Sequence, residues 1–306
     1  MAKMLMRVVL GLLVVAGLAA AGWVAVSDVE AQSQLSGTWT ASVDKDKDNK
    51  IHLNLERNSK GHRNQMGQTF DFADLQGLTR EQALNGGSVN FSLVREAGRI
   101  DCEGSFQNGK GSGTFRFTGN LAFVSAMKSR GFDFETGMND DIDDRHGENK
   151  LFAATTLNVT TALADDLISA GFDKLKTDDL FKAAIFEIDS KFAREMKASG
   201  FENLGMEELV KARIFKIDPE FVRQVSQMGF QKEPFESLVK MQIFKVTPEF
   251  ISEVRNEGLT NLQIEDLVKL RIFKIDAKYI REAKADGTPV DVEELVQRKI
   301  GVARRN

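Results

Sequence analysis

The chain has 306 residues, 42% hydrophobic and 28% charged, the make-up of a chain that folds in more than one part and stays soluble. A formal net charge of -4 gives no global pull toward nucleic acid, whose phosphates need concentrated positive charge. A single cysteine, Cys102, excludes an intramolecular disulfide, and three histidines, His52, His62 and His146, supply little for a metal centre.

In chain order, Lys3 and Arg7 precede an uncharged stretch over residues 8–26, after which Ser27, Asp28 and Glu30 restore polarity. That is the pattern of an export signal within residues 1–31. Cleavage after Ala21 or after Ala31 both fit, and so does retention as an anchor in the inner membrane, because 19 apolar residues are long enough to span a bilayer. All three place the rest of the chain outside the cytoplasm, periplasmic or secreted, with membrane contact through this segment.

From residue 36 to 118 the apolar residues alternate, as in GTWTASV, IHLNLER, SVNFSLV, RIDCEGSF and GTFRF. Alternation predicts half-buried strands, and the short runs separated by Gly, Asn and Ser predict a small antiparallel β-domain, a sandwich or a partial barrel. GSFQNGKGSGTFRF reads as two strands joined by a turn, and residues 78–84 as one helical turn or an irregular link.

A helical array is expected over residues 119–306, the whole chain thus being α+β. LAFVSAMKSRGF, with Phe123, Met127 and Gly131, reads as a first helix and LAFVSAMKSRGF is followed, after an insertion at about 133–148 containing NDDIDD, by LFAATTLNV as a second. Glycines then recur at Gly171, Gly200, Gly229, Gly258 and Gly287, 29 residues apart. Eight residues before each stands Leu163, Phe192, Phe221, Phe250 or Tyr279, with Leu167, Met196, Val225, Val254 or Ala283 four further on, the spacing of one helix face. Thr160, Asp189, Asp218, Thr247 and Asp276 supply side-chain oxygens for the first-turn N–H groups, Pro219 and Pro248 sit where a helix tolerates proline, and the glycines end the helix.

A second helix follows in each unit, read from DDLFKAAIFEI, EELVKARIFKI, ESLVKMQIFKV and EDLVKLRIFKI, with Leu209, Val210, Ile214 and Ile217 as its apolar positions. Such a pair cannot bury its apolar faces alone, so the units are predicted to stack as an α-solenoid of tandem helix pairs. After Gly287 the unit is one residue shorter, carries Thr288 and Pro289, and ends in GVARRN, the mark of a terminal cap.

GTWTASVDKDKDNKIHLNLER, LQGLTREQALNGGSVNFSLVREAGRIDCEGSFQNGKGSGTFRFT and the repeat segments VKLRIFKI and VTPEFISEVRNEG resemble the extracytoplasmic β-domain and 29-residue repeat region attached to some bacterial BlaR-like sensor proteins. The resemblance covers nearly everything after the leader and implies location and architecture. The metallopeptidase domain of those sensors has no counterpart: no His-Glu-x-x-His occurs, and no catalytic residue is carried over.

Asp44, Asp46 and Asp48 begin with the spacing of an EF-hand loop, but Asn49 stands at the glycine position and Leu55 at the bidentate glutamate position, so a solvated turn is expected. The acidic run at residues 139–144 reads the same way. The three histidines lack the spacing of metal ligands, and Cys102 on an alternating strand reads as a small buried hydrophobe. No metal, cofactor or catalytic residue is expected.

The remaining candidate is collective. Lys182, Lys211, Lys240 and Lys269 recur at 29 residues, as do Lys216, Lys245 and Lys274, with Arg213 and Arg271 between the rows. The helix dipole alone favours cations in a last turn; the functional reading makes Lys211, Arg213, Lys216, Lys240, Lys245, Lys269, Arg271 and Lys274 a basic ridge for an acidic segment of a protein partner or envelope sensor, or for anionic lipid. The leading expectation is a non-enzymatic exported or membrane-tethered protein-interaction scaffold. The alternatives are a sensory or regulatory accessory that detects an envelope ligand through its β-domain, and an enzyme built near Asp140 to His146.

Overall fold

The computed structural model describes residues 34–43, 49–59, 62–135, 150–172 and 174–301. The leader, the Asp44 to Asp48 turn, the acidic run with His146 and the polar tail from residue 302 lie outside the described residues.

Seven antiparallel strands form one curled, half-barrel sheet. They are β1 (Gln34–Val43), β2 (Lys50–Ser59), β3 (His62–Asp71), β4 (Leu75–Gln76), β5 (Gly87–Arg95), β6 (Gly98–Gln107) and β7 (Lys110–Gly119). The order is β3-β2-β1-β7-β6-β5-β4. Two hairpin-connected meanders are thus joined where the first strand meets the last, with Trp39 opposite Gly113. Of the two forms open to the alternating pattern, this is the partial barrel, because every described strand belongs to the same sheet.

Alternation sends Trp39, Ala41 and Val43, Ile51, Leu53 and Leu55, Phe91 and Leu93, and Phe115 and Phe117 to the buried side. Trp39 packs edge-on to Phe91 with ring centroids 5.2 Å apart and donates through Nε1 to the Glu103 carbonyl at 3.2 Å. Its indole needs a bare backbone opposite: a Cβ on Gly104 would lie 2.6 Å from Trp39 Cζ2 and 2.2 Å from the Ser112 carbonyl. The β6–β7 turn is Asn108-Gly109 with φ of 52° and 78°, the two-residue connection that suits a twisted hairpin. Residues 78–84 resolve into a short helix α1 (Arg80–Asn85), whose start is a reciprocal pair between Thr79 and Gln82. Helix α1 and, further on, α3 lie against the sheet.

The helical part comprises α2 (Leu121–Lys128), α3 (Lys150–Leu157), α4 (Thr161–Ser169), α5 (Thr177–Phe186), α6 (Ser190–Ala198), α7 (Met206–Ile214), α8 (Pro219–Gln227), α9 (Phe235–Ile243), α10 (Pro248–Asn256), α11 (Ile264–Ile272), α12 (Ala277–Ala285) and α13 (Val292–Lys299). Second helices pack on second helices (α3 on α5, α5 on α7, α9 on α11, α11 on α13) and first on first (α4 on α6, α10 on α12). Thr160, Asp189, Asp218, Thr247 and Asp276 each accept from the backbone N–H three residues on, so the caps fall where the spacing puts them. Between sheet and array, α3 is buried along its length. Phe152 stacks on Phe115 at 5.5 Å and meets Phe117 edge-on at 5.4 Å, while Thr155 and Thr156 donate to the Leu151 and Phe152 carbonyls at 2.8 and 2.9 Å. Sheet and helices consequently belong to one compact unit, residues 33–306.

One expectation about the second helices is corrected. Leu209, Val210 and Ile217 are buried, but Ile214 is 53% exposed, and Ala212 holds the core position in its place. Five residues of helix turn through about 500°, which carries Ile214 some 140° around from Leu209 and past the rim of the buried face.

Gly229 ends α8 at φ +98°, and a Cβ there would meet only Arg255 Nη2 at an ordinary contact distance of 3.9 Å, so a substitution there is penalised by conformation and not by collision. Gly229→Val should destabilise the chain by more than about 1 kcal/mol, because a β-branched residue is the poorest fit to positive φ. Urea unfolding followed by circular dichroism checks this, and an unchanged midpoint would show that the helix does not need its left-handed stop.

Candidate interaction surface

The cations read from the sequence divide by structural role. Lys182, Lys211 and Lys240 reach forward into the next unit, their ammonium groups 2.5, 2.6 and 3.2 Å from Glu207, Glu236 and Glu265. Lys269 does the same with Glu293. Each glutamate stands in the first turn of the following second helix and 25 residues ahead, or 24 in the shortened last unit. The Glu236 hydrogen bond holds the Lys211 ammonium above its ordinary pKa. This row joins neighbouring units; being largely exposed, each pair is screened by solvent and contributes little by itself.

Arg213 and Arg271 are also committed within the array. Arg213 donates to the Glu187 carbonyl at 2.6 Å with its guanidinium 3.8 Å from the Phe192 ring centre. Arg271 donates to the Lys245 carbonyl at 2.9 Å through Nε and lies 4.0 Å from the Phe250 ring. In the unit between them Gln242 reaches the Lys216 carbonyl at 3.4 Å. All three cap the preceding second helix, and the two arginines also cover a phenylalanine.

Lys216, Lys245 and Lys274 are different. All three are exposed, and no described residue pairs with their ammonium groups. Each occupies the left-handed position that closes a second helix, with φ of 55°, 53° and 55°. The surrounding hydrogen bonds form a Schellman closure: the Ile217, Val246 and Ile275 amides donate back to the Ala212, Met241 and Leu270 carbonyls at 2.8 Å. Glycine is the residue this closure usually takes, and a side chain with a Cβ costs about 1 kcal/mol there. The equivalent residues in the first two units are Asn158 (φ 58°) and Glu187 (φ 53°).

Two residues before each lysine stands the row that the periodicity misassigned. Ile185, Ile214, Ile243, Ile272 and Ile300 are 53, 53, 49, 52 and 55% exposed. At the equivalent place in the unit against the sheet stands Thr156, which is buried. From α5 onward the row is isoleucine and open to solvent. Stacked helices lie about 8–10 Å apart, so the five side chains make a periodic apolar ridge flanked by unpaired ammonium groups. Recurrent exposed apolar side chains on this scale mark contact surfaces. The signal in the sequence is the IFKI/IFKV ending of the second helices.

The other candidates offer no comparable constellation. Cys102 faces the core of the sheet, where burial, and secondarily Asp101, pushes its thiol up to about 12, so it packs as a small hydrophobe and is not a thiolate. His52 is exposed, with Nδ1 3.3 Å from Thr69 Oγ1. Among the described residues no three His, Cys, Asp or Glu side chains gather as metal ligands would. No protein-family model and no curated protein matches the chain.

Relieving the left-handed lysine is a direct measure of what it costs. Lys245→Gly should raise stability by about 1 kcal/mol, seen as a higher urea midpoint with an unchanged slope. A loss of stability would mean that the lysine side chain makes a contact holding the array together.

Proposed function

We propose that the protein is a non-enzymatic scaffold that binds a protein partner along the isoleucine ridge of its helical array, outside the cytoplasm. The observation that carries this reading is the repetition: the same position holds a half-exposed isoleucine in five successive units, although apolar residues earlier on the same helices, such as Leu209, Leu238 and Leu267, are buried. A surface selected only for solubility would carry polar residues there. Stacked helix pairs present an extended face on which a partner meets one unit after another. The leader read over residues 1–31 supports export, and the resemblance of the β-domain and repeats to the extracytoplasmic region of BlaR-like sensors agrees with it.

The sheet serves in this reading as the platform that closes one end of the array through α3. Its buried side carries Trp39, Phe91, Phe106 and Phe115; the alternative reading is a sensory accessory that detects an envelope ligand through this β-domain.

Two measurements test the proposal. With a photo-reactive benzoylphenylalanine at Ile243 in the full chain expressed in a bacterial host, a discrete protein adduct should form that is absent when the probe is at exposed Glu253 on α10; equal labelling at both sites would defeat the ridge. The combined Ile214→Ser, Ile243→Ser and Ile272→Ser variant should keep its unfolding midpoint within about 1 kcal/mol, the sites being half-exposed, and bind the captured partner at least tenfold less tightly, as truncation of anchoring side chains does. For location, cell fractionation should recover a chain beginning at Gly22 or Gln32 in the soluble extracytoplasmic fraction, or one with its leader intact in the membrane fraction; recovery in the cytosol would remove the exported reading.

A further inference from the structure

Four features of the ridge bear on what it holds. The ammonium groups of Lys216, Lys245 and Lys274 have no ion-pair or hydrogen-bond partner among the described residues, whereas those of Lys182, Lys211, Lys240 and Lys269, earlier on the second helices, all do. The three are held at left-handed φ, a position at which glycine would be at ease. Each stands two residues after an exposed isoleucine. The row changes sign in the next unit toward the sheet, where Glu187 takes the same left-handed position.

A cation at strained φ whose ammonium meets no partner among the described residues, repeated in three consecutive units, is a side chain kept for a contact outside the fold. We propose that the ridge takes an acidic, apolar protein segment laid across successive units, its carboxylates meeting Lys216, Lys245 and Lys274 and its apolar side chains packing over Ile214, Ile243 and Ile272. The inference rests on the reading of the ridge as a protein-binding surface and names the chemistry of the partner.

The stride of the array sets the spacing within that segment. Units stacked about 8–10 Å apart are matched by an apolar and acidic pair recurring every seventh residue of an α-helix, a rise of about 10.5 Å. Glu187 disfavours an acidic residue opposite the unit of α5, so the acidic part of the segment lies over the three lysine-bearing units and its register is set.

An anionic bilayer fits these features less well. Binding to such a surface draws on clusters of roughly four to eight cations, and here single lysines recur one per unit, with the exposed caps Asp218 and Asp276 two residues beyond Lys216 and Lys274. Those carboxylates would face the lipid phosphates, whereas a peptide can place its acids on the lysines alone.

The test uses the full chain and three synthetic helical peptides: one with leucine-glutamate pairs at seven-residue intervals, one with lysine for each glutamate, and one with serine for each leucine. Vesicles of phosphatidylglycerol and phosphatidylcholine form the fourth arm. Fluorescence anisotropy should show binding of the first peptide only, at least tenfold weaker for Lys245→Glu and lost for Ile243→Asp, while Lys216→Glu/Lys245→Glu/Lys274→Glu should gain the lysine peptide. Lys245→Gly should bind the acidic peptide more weakly although the protein is more stable, a combination that a structural role does not produce. Failure of the acidic peptide to bind, equal binding of the lysine peptide, or binding to anionic vesicles alone would overturn the proposal. If the cellular partner is lost on Ile243→Asp yet indifferent to the charge reversals, the ridge remains a protein-binding surface and the acidic segment falls; indifference to Ile243→Asp removes both.

Discussion

A helix of nine residues is too short to hold itself in water, because the cost of nucleating it is spread over too few hydrogen bonds. Helices α6 to α12 are all of that length. Everything else in the array follows from the need to give each one a neighbour. Leu209, Leu238 and Leu267 are buried at equivalent places, and the side-chain caps, the left-handed stops and the forward Lys–Glu pairs recur with the same period because every junction solves the same problem. The forward pairs are weak singly, but they join the first turn of one second helix to the last turns of the one before it, where both dipole ends are complemented.

A stack of this kind has two ends, and at one of them the sheet supplies the missing surface. Helix α3 sets Phe152 on Phe115 and Phe117, and its two threonines return their hydroxyls to their own helix carbonyls, so it can be buried without orphaned polar groups. The sheet in turn depends on β1 pairing with β7, a contact between the two ends of its own sequence, and on glycine at position 104, where Trp39 leaves no room for a side chain. Both are long-range requirements that local propensity does not express.

Against this economy the ridge stands out. Five isoleucines remain half in water, and three lysines hold a conformation that costs stability. Neither feature improves the fold, and both repeat with the period of the array. Natural proteins accept such costs where a surface is used, and under the proposed reading the combination of apolar side chains with lysines unpaired among the described residues would select a partner by both shape and charge.

The 29-residue period, the helix caps, the left-handed glycines and the alternating strands were all legible in the sequence, since each is a local matter of spacing, backbone conformation or one side chain meeting a nearby amide. The boundary between strands and helices was legible for the same reason. Apart from the β6–β7 hairpin, whose turn is local, which strands pair was not, because alternation reports a face and not a neighbour. Nor was the ridge. Ile214 sits at the rim of a helix face, and only the placement of the adjacent helices decides that Ala212 is covered and Ile214 is not. Lys211 and Lys216 looked alike as cations in a last turn, but one has a glutamate brought to it from 25 residues away and the other closes a helix with its ammonium in solvent. Period and caps are properties of the chain itself; exposure and pairing depend on stacking, which places distant residues side by side.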